Sequence, residues 1–309
     1  SQVNRMRHLG HDIQTVICAS TGDTSAALAA FGAAAKIPTV VLLPKGNISA
    51  AQLVQPLSHG ARVIAIDTDF DGCMAHVQRL ASEPGIYLAN SKNSLRIEGQ
   101  KTVAFEICQG LGWNIPDWVA IPGGNLGNVS ALIRGFENLR DAGIINRLPR
   151  VICAQAAHAN PLYRSFEKGF APLEKMTAKP TQASAIRIGD PVSFPRAMMA
   201  LKKVNGTVAS ITEQQLTDMA IEADITGFYL CPHTAVAMAA AIQHRQAGII
   251  AAGERVVVVS TAHGLKFTEF KQATASNSVP GVTHTHTHTL VDVPNVYTRI
   301  RDAVLRETP

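Results

Sequence analysis

The chain is poor in aromatic and charged residues. Of its 309 residues, 5% are aromatic and 17% are charged, whereas 46% are hydrophobic. The net charge is +5, but the lysines and arginines are scattered and form no basic run interleaved with aromatics, so nucleic acid is a poor candidate partner. No apolar run reaches the ~20 residues of a membrane span, and no membrane partner is predicted. The apolar content suffices for a folded core and argues against extensive disorder.

Cysteine is sparse, and its spacing does not indicate a metal site or a redox-active pair. The five cysteines form no CxxC pair, and four of them lie in apolar strand-like or helical stretches, which is typical of buried free thiols. An odd number of cysteines without a pairing pattern is typical of a reducing compartment. The alternating Thr-His run at 283–289 is interpreted as a solvated tail, and no metal site is predicted. The chain also lacks an initiator Met, and Ser1 begins what reads as the end of a helix. We therefore expect a fragment whose N-terminal segment is missing.

Apolar strand-like runs alternate with helical segments along most of the chain. Strands are predicted at 15–19, 39–43, 62–66, 87–89, 118–121, 151–155 and 256–259. Helices are predicted at 26–35, 49–57, from Asp69 or Asp71 to 80, 98–111, 129–139, 195–204, 213–223 and 234–246. This alternation predicts the α/β class, with βαβ units and parallel sheets. From Ala275 onward the pattern fades.

Three polar or glycine-rich loops each follow a predicted strand, at 20–25, 123–128 and 260–264. Such strand-to-helix turns present backbone N–H groups that suit anions, phosphate above all. The glycine loop at 123–128 lacks both the Walker lysine and the GxGxxG spacing, so a nucleotide-binding protein is a weaker alternative. On its own, this loop could equally be an ordinary strand-to-helix turn.

Two further clusters carry hydrogen-bond donors. Residues 20–24 place three hydroxyls at a helix N-terminus, which suits a carboxylate, although one of them could simply cap the helix. Between Asn90 and Arg96, amide, hydroxyl and guanidinium groups fall within seven residues. The arginine guanidinium can donate two parallel hydrogen bonds to a phosphate or carboxylate. The alternative interpretation of residues 90–96 is a surface loop with a solvated arginine.

Four runs in order, at 17–28, 90–102, 121–129 and 257–267, resemble the threonine synthase family, in particular its plant-like and bacterial branch. The similarity extends from Ser1 to about Lys271. It implies a fold-type II pyridoxal-phosphate enzyme of the tryptophan synthase β-like architecture. The implied domains are a smaller α/β domain at 1–92, incomplete at its N-terminus, a larger cofactor-phosphate-binding α/β domain at 93–274, and a tail at 275–309.

The resemblance also implies the reaction and the site. O-Phospho-L-homoserine and water would give L-threonine and phosphate through γ-elimination and β-addition of water, with pyridoxal 5′-phosphate as cofactor. The cofactor phosphate would lie against Gly123, Gly124, Asn125, Leu126, Gly127 and Asn128, while Thr261 would bond the pyridine nitrogen and Asp23 would face the 3′-oxygen. The substrate carboxylate would contact Ser20, Thr21 and Thr24, and the substrate phosphate Asn90, Ser91, Arg96 and Asn125.

The chain departs from the family pattern at three points. Asp23 and His263 stand where asparagines are expected. The family's Schiff-base lysine lies in a Ser-Phe-Lys-Asp-like motif, which is expected upstream of Ser1. Because the chemistry needs that amine, no catalytic residue is assigned within these 309 residues, and the fragment alone is predicted to be inactive.

Three other interpretations stay open at this point. One is a threonine or serine dehydratase or a phospho-amino-acid lyase of the same superfamily. Another is a non-catalytic remnant that binds pyridoxal phosphate or phosphate, and the weaker third is the nucleotide-binding protein. The resemblance further suggests a homodimer in the cytoplasm, or in the plastid if the source is a plant.

Overall fold

The computed structural model describes residues 2–20, 22–45, 50–68, 70–90, 93–285, 288 and 290–305. Eight strands are assigned there: β1 (Thr15–Ala19), β2 (Thr39–Pro44), β3 (Arg62–Ile66), β4 (Ile86–Leu88), β5 (Trp118–Pro122), β6 (Arg150–Ala156), β7 (Thr207–Ile211) and β8 (Val256–Val258). The α-helices are α1 (Gln2–His8), α2 (Asp23–Ala34), α3 (Ala50–Ser58), α4 (Phe70–Leu80), α5 (Ser94–Gln100), α6 (Thr102–Gly110), α7 (Gly127–Asp141), α8 (Pro161–Glu167), α9 (Phe194–Lys203), α10 (Glu213–Ile225), α11 (Pro232–Gln246), α12 (Thr268–Ala275) and α13 (Tyr297–Leu305). Three 3-10 turns, at Ala157–Ala159, Ser184–Ile186 and Gly264–Phe267, complete the set. No helix in these ranges is long and apolar enough to cross a membrane.

The strands form two parallel four-stranded sheets, which confirms the predicted class. The first sheet has the order β3-β2-β1-β4 and the second the order β7-β6-β5-β8. In register, Ile17 pairs with Val40 and with Leu88. In each sheet the chain starts at an inner strand, moves outward on one side, and then returns to the other side. Ligands of open parallel sheets bind at the carboxyl ends of the strands where this reversal occurs. Here those are the ends of β1 and β4, and of β5 and β8.

The second sheet carries the larger core. Every residue of β5 is buried, including Trp118 and Ile121. The alanine-rich face of α11, with Ala235, Ala237 and Ala240, packs on one side of this sheet, and α7 with Leu132 packs on the other. Strands buried on both faces need continuous apolar runs, as β5 has; the three valines of the edge strand β8 also form such a run but are only partly buried. All five cysteines are buried and form no disulfide, which the sequence predicts for the four that lie in strand-like or helical stretches.

The structure corrects the predicted elements in several places. The helix expected at 98–111 is two helices, α5 and α6, divided at Lys101. There, Ala104 N–H donates to the Lys101 carbonyl in a tight three-residue turn, and a side chain on Gly135 of α7 would collide with that carbonyl. Strand β7 and helix α8 were not predicted. Helix α13 lies in the region expected to be a tail.

Candidate active site

Two hydrogen bonds, one to the neighbouring strand β6 and one to the end of β5, hold the glycine loop that follows β5. Gly123 N–H donates to Ala154 O at 2.8 Å, and Asn128 Nδ2 donates to Pro122 O at 2.7 Å. Leu126 adopts a left-handed conformation, with φ of 65°, just before α7 begins. Within the described ranges, the amides of 124–128 have no hydrogen-bond acceptor. These N–H groups and the positive end of the α7 dipole can therefore bind one anion.

The packing behind this loop fits a phosphate cradle. A Cβ on Gly124 would lie 3.0 Å from Ile186 Cα and 3.1 Å from Ala185 O, while one on Gly123 would strike Cys153 Sγ. Both positions therefore require glycine, because the loop backbone lies directly against its support. A loop without side chains there leaves its amides accessible to a ligand. The residues present fit the phosphate of pyridoxal 5′-phosphate.

The loop after β1 also ends at a helix whose N-terminal amides are free of a side-chain cap. The N-cap of α2 is Gly22, and no side chain caps it. The Ser20 hydroxyl accepts from Gly22 N–H at 3.1 Å, and Thr24 Oγ1 accepts from Arg96. The simpler interpretation, in which a hydroxyl caps this helix, is thus not observed for Ser20 or Thr24. Thr21 lies outside the described residues.

Arg96 connects the second donor cluster to the first loop. Its Nη2 donates to Thr24 Oγ1 at 2.8 Å, across 72 positions of sequence. The guanidinium is half-buried, and burial lowers the pKa of Arg96 while the nearby Cys18 opposes that shift. Arginine nevertheless keeps its charge in proteins. The structure thus places a cation beside the predicted carboxylate loop.

Asn90 joins the ends of β1 and β4. Its Oδ1 accepts from Ala19 N–H and its Nδ2 donates to Ala19 O, both at 2.8 Å. The side chain is buried and continues the pairing of the two strands beyond their ends. Among the described residues, Ala19 O is the acceptor recorded for Nδ2, and the predicted phosphate contact stays a prediction. Ser91, assigned the same role, lies outside the described residues.

Asp23 forms an ion pair that sequence reasoning missed. Its Oδ1 lies 2.6 Å from Lys266 Nζ, and Lys266 belongs to the 3-10 turn after the third loop. This pair links the first and third loops across 243 positions. The predicted role of Asp23 at the cofactor 3′-oxygen therefore involves a carboxylate already paired with a lysine.

The third loop, after β8, is held by the start of α11. Thr261 N–H donates to Thr234 Oγ1 at 3.1 Å, and Thr261 Oγ1 lies 3.7 Å from Cys231 Sγ. Burial raises the pKa of the Cys231 thiol, but hydrogen bonding and charge from His233, with hydrogen bonds from Thr234, outweigh burial and bring the pKa to about 6. The sequence analysis assigned no role to Cys231 or to His233. The nearby Pro-His-Thr helix start was the available signal.

His263, the other departure from the family pattern, turns away from this hydrogen-bond network. Its Nδ1 accepts from Leu265 N–H at 3.2 Å, which caps the following turn. Its ring lies 5.5 Å from the ring of Tyr229. In this structure His263 therefore has a local structural role.

A separate cavity lies away from these loops. It has a volume of about 830 Å³ and is lined by residues that include Trp113, Asp117, Arg147 and Arg255. Asp117 and Arg255 directly precede β5 and β8, so this cavity is at the amino ends of the second sheet. It is therefore at the opposite edge from the three loops.

Two parallel α/β sheets with anion-binding loops at their carboxyl ends define the architecture of the fold-type II pyridoxal-phosphate enzymes. Residues 2–262 match the family described as "Pyridoxal-phosphate dependent enzyme". The chain is similar to the Escherichia coli threonine synthase structure, with a TM-score of 0.67 and 27% identity over 95% of this chain and 67% of that one. The processed threonine deaminase isoform 2 of Solanum lycopersicum, at TM-score 0.69 and 18% identity over 84% of this chain and 73% of that one, shares the fold.

Two curated relatives define the family more narrowly. Chloroplastic threonine synthase 2 of Arabidopsis thaliana is 56% identical over 272 residues, which are 88% of this chain and 53% of that protein. The threonine synthase of Mycobacterium tuberculosis is 40% identical over 260 residues, 84% of this chain and 70% of that protein. The chain belongs to the pyridoxal-phosphate-dependent enzyme family and, within it, to the threonine synthases. It spans about half to two thirds of the length of the first relatives it matches.

Proposed function

We propose that the protein to which this chain belongs converts O-phospho-L-homoserine and water to L-threonine and phosphate. The observation that carries the proposal is the hydrogen bond from Arg96 to Thr24. This hydrogen bond supports the proposal because it holds a half-buried cation, of a kind that suits a phosphate, next to the hydroxyls and helix N-terminus proposed for the carboxylate. A substrate that carries both anions, separated by a short carbon chain, matches this pair.

The proposed roles of the chain's own residues come from the family resemblance, and the positions of the described ones are compatible with them. Ser20, Thr24 and the first amides of α2 bind the substrate carboxylate, and Arg96 binds the substrate phosphate. The 124–128 amides bind the cofactor phosphate, and Thr261 contacts the pyridine nitrogen. Thr21 and Ser91 are retained from the resemblance alone.

When bound, pyridoxal phosphate supplies an electron sink for the carbon chemistry. The protein holds both anionic ends of the substrate and thereby orients the substrate relative to the cofactor. The catalytic amine is the lysine that the resemblance places outside these 309 residues. The proposal therefore concerns the whole protein.

The test uses the full gene product with pyridoxal phosphate and O-phospho-L-homoserine. We expect one inorganic phosphate for each threonine formed. Production of 2-oxobutanoate from threonine, without phosphate release, would instead show a dehydratase. Cofactor binding with neither reaction would show a non-catalytic remnant.

Assembly and location belong to the same proposal. We propose a homodimer, on the basis of the family resemblance, and light scattering of the purified protein tests it. We also propose a cytoplasmic location, or a plastid if the source is a plant, since the Arabidopsis relative is named as chloroplastic. Imaging of the tagged full gene product in its source cells would test this location.

A further inference from the structure

A carboxylate lies at the start of the helix that is proposed to bind the carboxylate of the substrate. Asp23 is the first residue of α2 and follows the N-cap Gly22. Among the described residues, the backbone amides of Asp23 and Thr24 have no hydrogen-bond acceptor. The positive end of the α2 dipole attracts a nearby anion, so the Asp23 side chain can compete with a bound carboxylate for it. A carboxylate without a cation beside it would also repel an anionic ligand.

Lys266 neutralises this carboxylate from the other sheet. Its Nζ lies 2.6 Å from Asp23 Oδ1, and both side chains are partly exposed. Asp23 begins the helix after β1, whereas Lys266 belongs to the turn after β8. Exposed ion pairs contribute little to stability, so the main effect of this lysine is on the charge that a ligand meets at the first loop.

The turn that carries Lys266 is held firmly by its surroundings. Gly264 N–H donates to Tyr229 O at 2.9 Å, and a Cβ on Gly264 would lie 2.7 Å from the Tyr229 ring. Helix α12, which follows the turn, is tied to α10 by Lys271, whose Nζ lies 2.6 Å from both carboxylate oxygens of Asp224. The backbone of Lys266 is therefore fixed at a position from which its ammonium reaches Asp23.

The cations that contact the first loop outnumber its carboxylate. Arg96 contacts Thr24 and Lys266 contacts Asp23, so these side chains together carry one net positive charge. Without Lys266, the charges of Arg96 and Asp23 would cancel. The proposed substrate brings a carboxylate and a phosphate, and a positive loop therefore complements it better than a neutral one.

We propose that Lys266 is a positioning residue that neutralises Asp23, keeps the first loop positively charged and thereby selects an anionic substrate. The inference rests on the proposed function, since it takes the first loop as the site of the substrate carboxylate. It adds that the loop of one sheet depends for its charge on a residue of the other sheet. Anion binding at the first loop thus requires the carboxyl edges of both sheets.

The first arm of the test is steady-state kinetics of the full gene product with O-phospho-L-homoserine. We expect Lys266→Met to raise KM by about tenfold, the size expected for one unit charge near a partly exposed ligand, with a smaller change in kcat. Lys266→Arg should leave KM nearly unchanged, because the positive charge is kept. Adding Asp23→Asn to Lys266→Met should restore most of the lost affinity, because the uncompensated carboxylate is removed.

The matched control is Lys203→Met. Lys203 pairs with Glu137 at the end of α9, directly before β7, and therefore lies at the opposite edge of the second sheet. Its loss should leave KM unchanged. Circular dichroism verifies that each variant folds.

Two kinetic results would overturn the inference. One is an unaltered KM in Lys266→Met. The other is an equal increase of KM in Lys266→Met and in the double variant with Asp23→Asn, because the lysine would then act by direct contact or through folding rather than through Asp23.

The second arm measures binding without turnover. The probe is the phosphonate analogue of O-phospho-L-homoserine, in which a methylene group replaces the bridging oxygen, so that no phosphate can leave. Titration calorimetry should show a dissociation constant about tenfold higher in Lys266→Met at low ionic strength, and a smaller difference at high ionic strength, because salt screens exposed charges.

The two arms separate the inference from the function on which it rests. Equal affinities of the unaltered protein and Lys266→Met at low ionic strength would overturn the role of Lys266 and leave the proposed function intact. If the unaltered protein neither releases phosphate from O-phospho-L-homoserine nor binds the analogue, the proposed function fails, and the inference fails with it.

Discussion

The fit of the glycine loop to its support makes Gly124→Ala the most informative substitution. The new Cβ would lie 3.0 Å from Ile186 Cα and 3.1 Å from Ala185 O. Both are backbone atoms, so neither can move aside by a rotamer change. Overpacking of this kind typically costs about 1–3 kcal/mol. We expect the loop to shift outward, which displaces the amides proposed for the cofactor phosphate.

A neighbouring glycine supplies a matched comparison. A Cβ on Gly127 would meet Ser193 Oγ at 3.6 Å, an ordinary contact. Gly127 is also the first residue of α7, and glycine inside a helix is less stable than alanine by roughly 0.5–1 kcal/mol. Gly127→Ala is therefore expected to leave the free energy of unfolding unchanged or slightly higher.

Two measurements distinguish lost stability from lost binding. Urea unfolding without cofactor should show Gly124→Ala destabilised by about 1–3 kcal/mol. Equilibrium titration with pyridoxal phosphate should show an affinity reduced by about tenfold or more, which corresponds to ~1.4 kcal/mol. Gly135→Ala, which strikes the Lys101 carbonyl far from the loop, should lose stability but not affinity. A Gly124→Ala protein with unaltered stability and affinity would refute the reasoning.

Four further predictions concern single side chains. Arg96→Lys in the full gene product should raise KM for O-phospho-L-homoserine by about tenfold, because a forked donor is lost; an unaltered KM in steady-state kinetics would count against the assigned role. Thr261→Ala should change the absorption spectrum of bound pyridoxal phosphate, and an unchanged spectrum would contradict its place at the ring nitrogen. A double-mutant cycle of Asp23→Asn and Lys266→Met should give under about 1 kcal/mol in urea unfolding, because both partners of the pair are partly exposed and solvent-screened; a much larger coupling would show that the loops depend on this pair. The pKa of Cys231 is lowered from 9.0 to about 6 in the folded protein, so its ionisation should add at most ~4 kcal/mol to the free energy of unfolding. This contribution is fully present above pH ~9 and is lost as the pH falls through about 6. If Cys231→Ser showed the same pH dependence of unfolding, this prediction would be contradicted.

Local pattern was sufficient for most of the sheet. The predicted ends of β1 and β3 agree with the structure, at Thr15–Ala19 and Arg62–Ile66. β-Branched apolar residues favour strands, both in the buried β1 and in the largely exposed edge strand β3. Strand β7 was missed because its sequence, Thr-Val-Ala-Ser-Ile, mixes small and polar residues. Helix α2 begins at Asp23, three residues before the predicted start. Its first three residues are polar, and they were assigned to the preceding loop.

For the candidate site, too, local features could be predicted from the sequence and contacts between distant residues could not. Each loop could be recognised from its own residues, because glycines, hydroxyls and amides act through the local backbone. The contacts between loops could not, since Arg96 and Thr24 are 72 positions apart and Lys266 and Asp23 are 243 apart. Likewise, His233 Nε2 accepts a hydrogen bond from the N–H of the distant Ala185, a contact that the local pattern does not reveal. Such properties arise only from tertiary packing.

The most direct test of the account is a crystal structure of the protein with pyridoxal phosphate. The account predicts the phosphate on the amides of 124–128 and the ring nitrogen at the Thr261 hydroxyl. A phosphate bound away from this loop, or a ring nitrogen facing another residue, would contradict the central claim that the carboxyl ends of β5 and β8 form the cofactor site.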